Sequence, residues 1–344
     1  MIYCLAHHII SPLGDGSQAN MEAVLSGRSG LRYYTDRFAS VEPFCASLFE
    51  TPQEFVPLCI HSAEQAIEAA HIVPSNKDVV FILSTTKGDH LDLFTPAKAI
   101  ATHFGNPNTP IVVSTACTSG VCAQITALRL LEAQQYNYAV VIGCDILTRF
   151  IVSGFQAFHA LSDEPCKPFS PERKGLNLGE AAATMVYGIQ RPSMPNAIWR
   201  LEAGSIHNDA NHISAPSRTA EGAYRCLNDV LQGVNTEEIL LGVHGTGTLY
   251  NDSMEQVSIE RAGLQHVPVS ALKPHFGHTL GAAGVLETIM LMILAEQSTK
   301  YKVQSTMYNL QSTIYNKASA AQSTIIKMLS GFGGVNAAIR LRCE

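Results

Sequence analysis

The sequence predicts an α/β protein made of two similar halves, and three observations predict it. Short apolar runs that read as strands alternate with longer segments of helical period along the 344 residues. The same order of elements occurs twice. Apolar residues make up 46% of the chain and charged residues only 15%, so a large share of it is destined for a core.

In the first half, a helix around Ala63–Ala70 leads to the strand "VVFILS" (Val79–Ser84). The segment "IVVSTA" from Ile111 is a second strand, followed by a turn and a helix that reaches Gln134. That helix sets Val121, Ile125, Leu128 and Leu131 along one face, which gives it a buried side. "YAVVIGCDI" and "EAAATMVYGI" (Glu180–Ile189) follow as late strands. In the second half, "AYRCLNDVL" reads as a helix, and "EILLGVHG" and "VPVSALK" as strands. A long helix, "GAAGVLETIMLMILAEQ", comes next, and "STIIKML" and "NAAIRLRC" close the chain as strands. Each half therefore reads helix, strand, strand, long helix, two strands. The pattern predicts a duplicated unit with its break near Arg191–Ala197, dividing the chain into 1–192 and 193–344. The apolar stretch Leu280–Ala295 holds Glu287 in its middle and is short for a membrane span, so a buried core helix is expected.

A formal net charge of −6 argues against a nucleic-acid surface, and no nucleic acid or membrane partner is expected. Nine cysteines are scattered without a CxxC pair, which predicts free thiols in a cytoplasmic protein. The opening "MIYCLAHHIISPLGDG" lacks the pattern of a secretory leader. His266, His275 and His278 lie near one another but lack a recognised ligand spacing, so no metal is expected.

Four motifs could carry chemistry. In "STACTSG", Cys117 falls at the start of the amphipathic helix, where the dipole and free N–H groups favour a thiolate and predict a lowered thiol pKa. Taken alone, it is equally a small buried thiol at a packed turn. In "GVHGTGTLYNDSMEQ", His244 ends an apolar strand as a candidate acid, base or donor, and Thr246 and Thr248 could bond a polar ligand arm. It is equally a loop histidine among turn glycines. In "SALKPHFGHTLGAAGVLE", Lys273 and His278 flank a tight segment, and Glu287 on the next helix could pair with the lysine. In "SGFGGVNAAIRL", the glycines around Phe332 permit a turn that aims an amide at an oxyanion.

The four motifs, in this order, resemble the β-ketoacyl-[acyl-carrier-protein] synthases of the thiolase superfamily, specifically the elongating Cys-His-His type. "PFSPERKGLNLGEAAA" and "DANHISAP" are similar to further segments of that family. The resemblance runs from about Val79 to the C-terminus. It implies two βαβαβαββ halves in a five-layered αβαβα sandwich, usually dimeric. It implies that Cys117 accepts an acyl group as a thioester, and that His244 and His278 support malonyl decarboxylation. Lys273, paired with Glu287, would organise the site. The amides of Cys117 and Phe332 would form the oxyanion hole, and Phe332 would also gate the nucleophile. Thr246, Thr248 and Ser214 would contact a phosphopantetheine arm. Arg173, with Lys167 and Lys174, would dock an acidic acyl carrier protein. No cofactor is implied beyond that carried arm, and the partner would be the carrier protein plus a second copy or a second synthase-like chain. The region between Ser84 and Ile111 is compressed relative to the family, as are the stretch after Ser40 and the one before Lys167. Three alternatives stand beside the synthase. One is a non-catalytic chain-length-factor-like partner, another a cysteine hydrolase, and the third a thiolase or a Cys-His-Asn ketoacyl synthase.

Overall fold

The computed structural model describes residues 1–40, 42–192, 197–300 and 322–344. The expected break at Arg191–Ala197 thus falls largely outside the described residues. The first half contains β1 (Ile2–Ser11), β2 (Gly14–Asp15), α1 (Ser17–Leu25), β3 (Leu31–Tyr34), β4 (Phe44–Ser47), α2 (Phe55–Ala70) and β5 (Val79–Ser84). It continues with α3 (Phe94–His103), β6 (Ile111–Val113), α4 (Ser119–Glu132), β7 (Tyr138–Asp145), α5 (Arg149–Ala157), β8 (Leu178–Gly179) and β9 (Ala181–Gly188). The second half contains β10 (Trp199–Asn208), α6 (Glu221–Val230), β11 (Ile239–Gly242), α7 (Leu249–Arg261) and β12 (Val269–Ser270). A one-turn α8 (Lys273–Phe276), α9 (Ala283–Lys300), β13 (Thr324–Ser330) and β14 (Val335–Cys343) complete it.

The main sheet runs β12-β11-β13-β14-β10-β1-β9-β7-β5-β6. Read outward from its centre, β1-β9-β7-β5-β6 mirrors β10-β14-β13-β11-β12. The sense of pairing also matches: β1/β9, β9/β7, β10/β14 and β14/β13 are antiparallel, and the outer pairs are parallel. Even the irregularity matches, because register slips between Cys4 and Ala6 in β1 and between Leu201 and Ala203 in β10. The two half-sheets meet through Ile2↔Leu201 and Tyr3↔Arg200.

Helices α4 and α9 pack against strands of both half-sheets, while α2 and α3 cover the first half-sheet and α6 the second. The layers are therefore αβαβα. Between the half-sheets, α4 and α9 bury Val121, Ile125, Leu128, Val285, Leu286 and Ile289 in the largest core cluster. A helix apolar on every side has no solvent face to present, and this is why α9 occupies the middle layer. Its apolar stretch Leu280–Gln297 is long and apolar enough to cross a bilayer, which corrects the expectation of a stretch too short to span. It is 89% buried among the described residues.

Strands β1 and β10 are not apparent from sequence pattern. In β1 the apolar run is interrupted by His7 and His8, and in β10 by Glu202 and His207. Pairing on both edges, rather than an alternating apolar face, holds these central strands in place. A small sheet, β3-β4-β8, lies beside the catalytic region, where β8 bridges to His278.

Candidate active site

The Cys117 turn is built by hydroxyls. Ser119 Oγ donates to the Ala116 carbonyl and accepts from the Thr115 amide at 2.8 Å, while Thr118 Oγ1 donates to the Thr115 carbonyl at 2.6 Å. These bonds hold Ala116 at φ 51°, a left-handed conformation costly for a residue with a Cβ. The following helix begins at Ser119, so Cys117 stands just before its first turn. Cys117 is 6% exposed. Burial pushes it up to about 11, although the Lys273 charge and the amides of Phe332 and Cys117 pull the other way. The expectation of a lowered thiol pKa is thereby corrected: desolvation of the thiolate outweighs the helix terminus in the free site.

His244 and His278 lie across from this turn. Their rings meet edge to face with centroids 5.2 Å apart. A ligating atom from each of Cys117, His244 and His278 lies within 4.8 Å of the others. Burial holds both imidazoles well below their usual range, and Lys273 and Lys327 depress them further, so both are neutral near pH 7. Nδ1 of His244 and both ring nitrogens of His278 have no hydrogen-bond partner. Buried polar atoms are normally satisfied, so orphaned nitrogens on residues that line a cavity are open to a ligand.

Each histidine is fixed through its backbone. The His278 amide donates to Asn177 O at 2.7 Å, and the Gly179 amide donates to His278 O at 3.0 Å. Gly277, at φ 67°, allows this approach, since a Cβ there would lie 2.2 Å from Leu178 O. The His244 and Gly245 amides both donate to Glu255, and the Thr246 and Gly247 amides donate to Asp252. Lys273 Nζ donates to His244 O at 2.6 Å and to Glu287 Oε1 at 2.9 Å. The other Glu287 oxygen pairs with Lys327 Nζ at 2.6 Å, and Lys327 donates to Val243 O at 2.6 Å. Burial would raise the Glu287 carboxyl, but the two lysines outweigh it and keep it ionised. Two glycines bring the halves together. A Cβ on Gly284 would lie 2.3 Å from the Val121 nitrogen, and one on Gly120 would lie 2.8 Å from Gly284. The starts of α4 and α9 therefore touch at backbone distance.

These groups line a cavity of about 290 Å³. Its walls include Cys117, His244, His278, Thr246, Thr248, Ser214 and Phe332. Phe332 stacks on Phe155 at 5.6 Å and meets Phe158 edge-on at 5.3 Å. Thr246 and Thr248 hydroxyls bond each other at 2.9 Å. Glu255, Asp252, Lys327 and Asn177 were not anticipated from sequence. Asp252 and Glu255 lie three residues apart on a polar helix, which reads as a solvated face, yet both are buried against loop amides.

The predicted basic patch is rearranged. Arg173 turns inward, donating to the carbonyls of Ser170 and Leu249 and to Ser253 Oγ, with Asp252 at 3.9 Å. Lys167 pairs with Glu172 at 2.7 Å and Lys174 with Glu164 at 2.5 Å. The three cations thus have local partners, and the surface there is mixed in charge rather than freely basic.

A strained thiol turn and two buried, neutral imidazoles thus share one cavity on an αβαβα frame. The beta-ketoacyl synthase N-terminal domain family matches residues 94–187, and its C-terminal domain family matches residues 200–303. The chain belongs to the β-ketoacyl synthase family. Nodulation protein E of Rhizobium meliloti is 30% identical over 232 residues, which are 62% of this chain and 57% of that protein. 3-oxoacyl-[acyl-carrier-protein] synthase 2 of Coxiella burnetii is 27% identical over 352 residues, 85% of this chain and 84% of that one. A Xenorhabdus doucetiae ketosynthase, solved in complex with its chain length factor, superposes over all of this chain and 98% of the other with a TM-score of 0.86 at 23% identity. A β-ketoacyl synthase from Burkholderia phymatum superposes with a TM-score of 0.84 at 20% identity, covering 99% of this chain and 98% of that one. These two establish the shared fold.

Proposed function

We propose that the chain is a 3-oxoacyl-[acyl-carrier-protein] synthase that condenses an acyl thioester with malonyl-carrier protein. The reading rests on one observation: the Cys117 thiol shares a cavity with two neutral histidines, of whose ring nitrogens His244 Nδ1 and both of His278 lack partners. In the first step Cys117 sulfur attacks the acyl thioester carbonyl. The Cys117 and Phe332 amides receive the oxyanion, and the departing pantetheine thiolate takes the proton lost from Cys117. In the second step the malonyl C–C bond breaks, carbon dioxide leaves, and the electron pair forms a thioester enolate. A neutral imidazole can donate to the enolate oxygen without having to lose a full charge. The enolate carbon then attacks the acyl carbonyl on Cys117, and the cysteine leaves and is reprotonated. Lys273 orients His244 by holding its carbonyl, and Ser214, Thr246 and Thr248 hold the pantetheine arm.

The carrier protein is the proposed partner, with surface Lys167 and Lys174 and their paired Glu172 and Glu164 contributing to a mixed-charge dock, which the inward-turned Arg173 supports from beneath. Free thiols at all nine cysteines support a reducing, cytoplasmic setting. The proposed assembly is a dimer with a second copy or a synthase-like chain, supported by β6 as a half-buried terminal strand of the sheet. Intact-mass analysis tests the function: incubation with acyl-carrier proteins of several lengths adds one acyl group to Cys117, and malonyl-carrier protein then releases the β-ketoacyl product. Acyl loading followed by free acid, with no malonyl consumed, would favour a cysteine hydrolase instead. Protein that is inert alone but active beside a second synthase-like chain would favour the partner-subunit reading.

A further inference from the structure

Lys327 is 1% exposed, yet it belongs to none of the motifs that point to the reaction. It sits on β13, four residues before Gly331, where the glycine-rich turn that carries Phe332 begins. Its ammonium reaches Val243 O, the carbonyl immediately before His244, and the Glu287 oxygen that Lys273 does not use. Lys273 holds the next carbonyl, that of His244 itself. Two ammonium groups thus grip consecutive carbonyls at the end of β11 and share one carboxylate from α9. On the opposite side, Glu255 of α7 takes the His244 and Gly245 amides. The His244 peptide is held by charge at both its N–H and its C=O.

We propose that Lys327 is a second positioning lysine, one that aims His244 at the reacting malonyl group. This rests on the proposed condensing activity. Two structural features argue that the role exceeds simple packing. First, Lys327 ties together three separate loops of the site: the His244 loop, the Lys273–His278 segment through Glu287, and the Phe332 turn through its own strand. Second, its charge is aligned with the chemistry. The titratable groups around the histidines are the Cys117 thiol before α4, Lys273 from α8, Lys327 from β13, Glu287 from α9 and Glu255 from α7, with each imidazole facing the other. Lys327 and Lys273 both disfavour a charged imidazole. Buried Lys327 is itself drawn below its usual range, with Glu287 opposing that change.

The test separates the two half-reactions in Lys327→Met. Acyl loading of Cys117 is expected to stay within about threefold of the parent, because the Lys327 ammonium bonds Val243 and Glu287 and neither the thiol turn nor the Phe332 amide. Malonyl decarboxylation is expected to fall about 10- to 100-fold, the effect of a small misplacement of a reacting group. The acid limb of its pH profile moves to higher pH, since removing a nearby positive charge makes imidazole easier to protonate. Lys327→Arg, which keeps the charge, recovers part of the rate and the parental limb. Should the Met variant fail to fold, Lys327→Gln, which keeps a donor but not the charge, is read in the same way. Parental decarboxylation in Lys327→Met overturns the proposal. So does an equal fall in both half-reactions with an unmoved pH profile, which marks a structural role only. An unmodified parent protein that loads no acyl group and releases no carbon dioxide overturns the proposed function instead, and this inference with it.

Discussion

The two halves have the same strand order, yet they contribute opposite kinds of chemistry. In the first half the site is a thiol on a tight turn held by neutral hydroxyls from Ser119 and Thr118. In the second half it is two imidazoles on loops clamped by buried charges: Lys273, Lys327, Glu287, Glu255 and Asp252. The difference teaches how a duplicated frame divides labour. A nucleophile needs an exact backbone turn with amides converging on it, which uncharged hydrogen bonds provide. An imidazole pair is kept neutral by a desolvated setting, which burial provides and the buried lysines reinforce.

Cys117→Ala strikes the first half at its centre. Condensation is expected to fall by at least about 10³-fold, because no other group forms the thioester. Intact mass shows no acyl adduct, while malonyl decarboxylation by the second half persists. His278→Ala makes the reverse cut. Acyl loading continues, and decarboxylation falls by about 10²- to 10⁴-fold, measured as carbon dioxide release. If either substitution abolished both half-reactions equally in a folded protein, the division between halves would fail.

Glu287→Gln probes the buried charges. Two lysines lose their shared carboxylate, and stability drops by about 3–5 kcal/mol in denaturant unfolding. A cluster that stabilises little would show no change. The Cys117 thiol, held near 11 by burial, offers a pH test of the neutral half. Below that value only the small thiolate fraction reacts, so alkylation of Cys117 in the ligand-free protein rises about tenfold per pH unit between pH 7 and 9. A flat profile would show that the helix terminus and Lys273 overcome desolvation after all. The smallest effect is expected at the rim. Ser214→Ala raises KM for the carrier-bound substrate about 2- to 10-fold with kcat unchanged, the loss of one neutral hydrogen bond.

Most strands and the long helices were legible in the sequence because their signals are local. "VVFILS", "STIIKML" and the face of Val121, Ile125 and Leu128 carry their own periodicity. The central strands β1 and β10 were not, since their identity comes from neighbours on both edges. The Lys273–Glu287 pair was anticipated, and the structure joins it at 2.9 Å. Its extension to Lys327 was not, because a lysine within "STIIKML" reads as the solvent side of a strand. Asp252 and Glu255 likewise read as exposed helix residues.

The sequence by itself determined the chemical groups and their order: one thiol at a helix start, two histidines in glycine-rich loops, a lysine and a glutamate. These are local facts of residue type and spacing. The tertiary structure alone decided which charges are buried and what faces what. Gly120 meets Gly284 across 164 positions of chain, and that contact sets Cys117 against His244 and His278. It also decided the thiol's acidity, because burial depends on atoms contributed by both halves, whereas the helix terminus beside Cys117 is local.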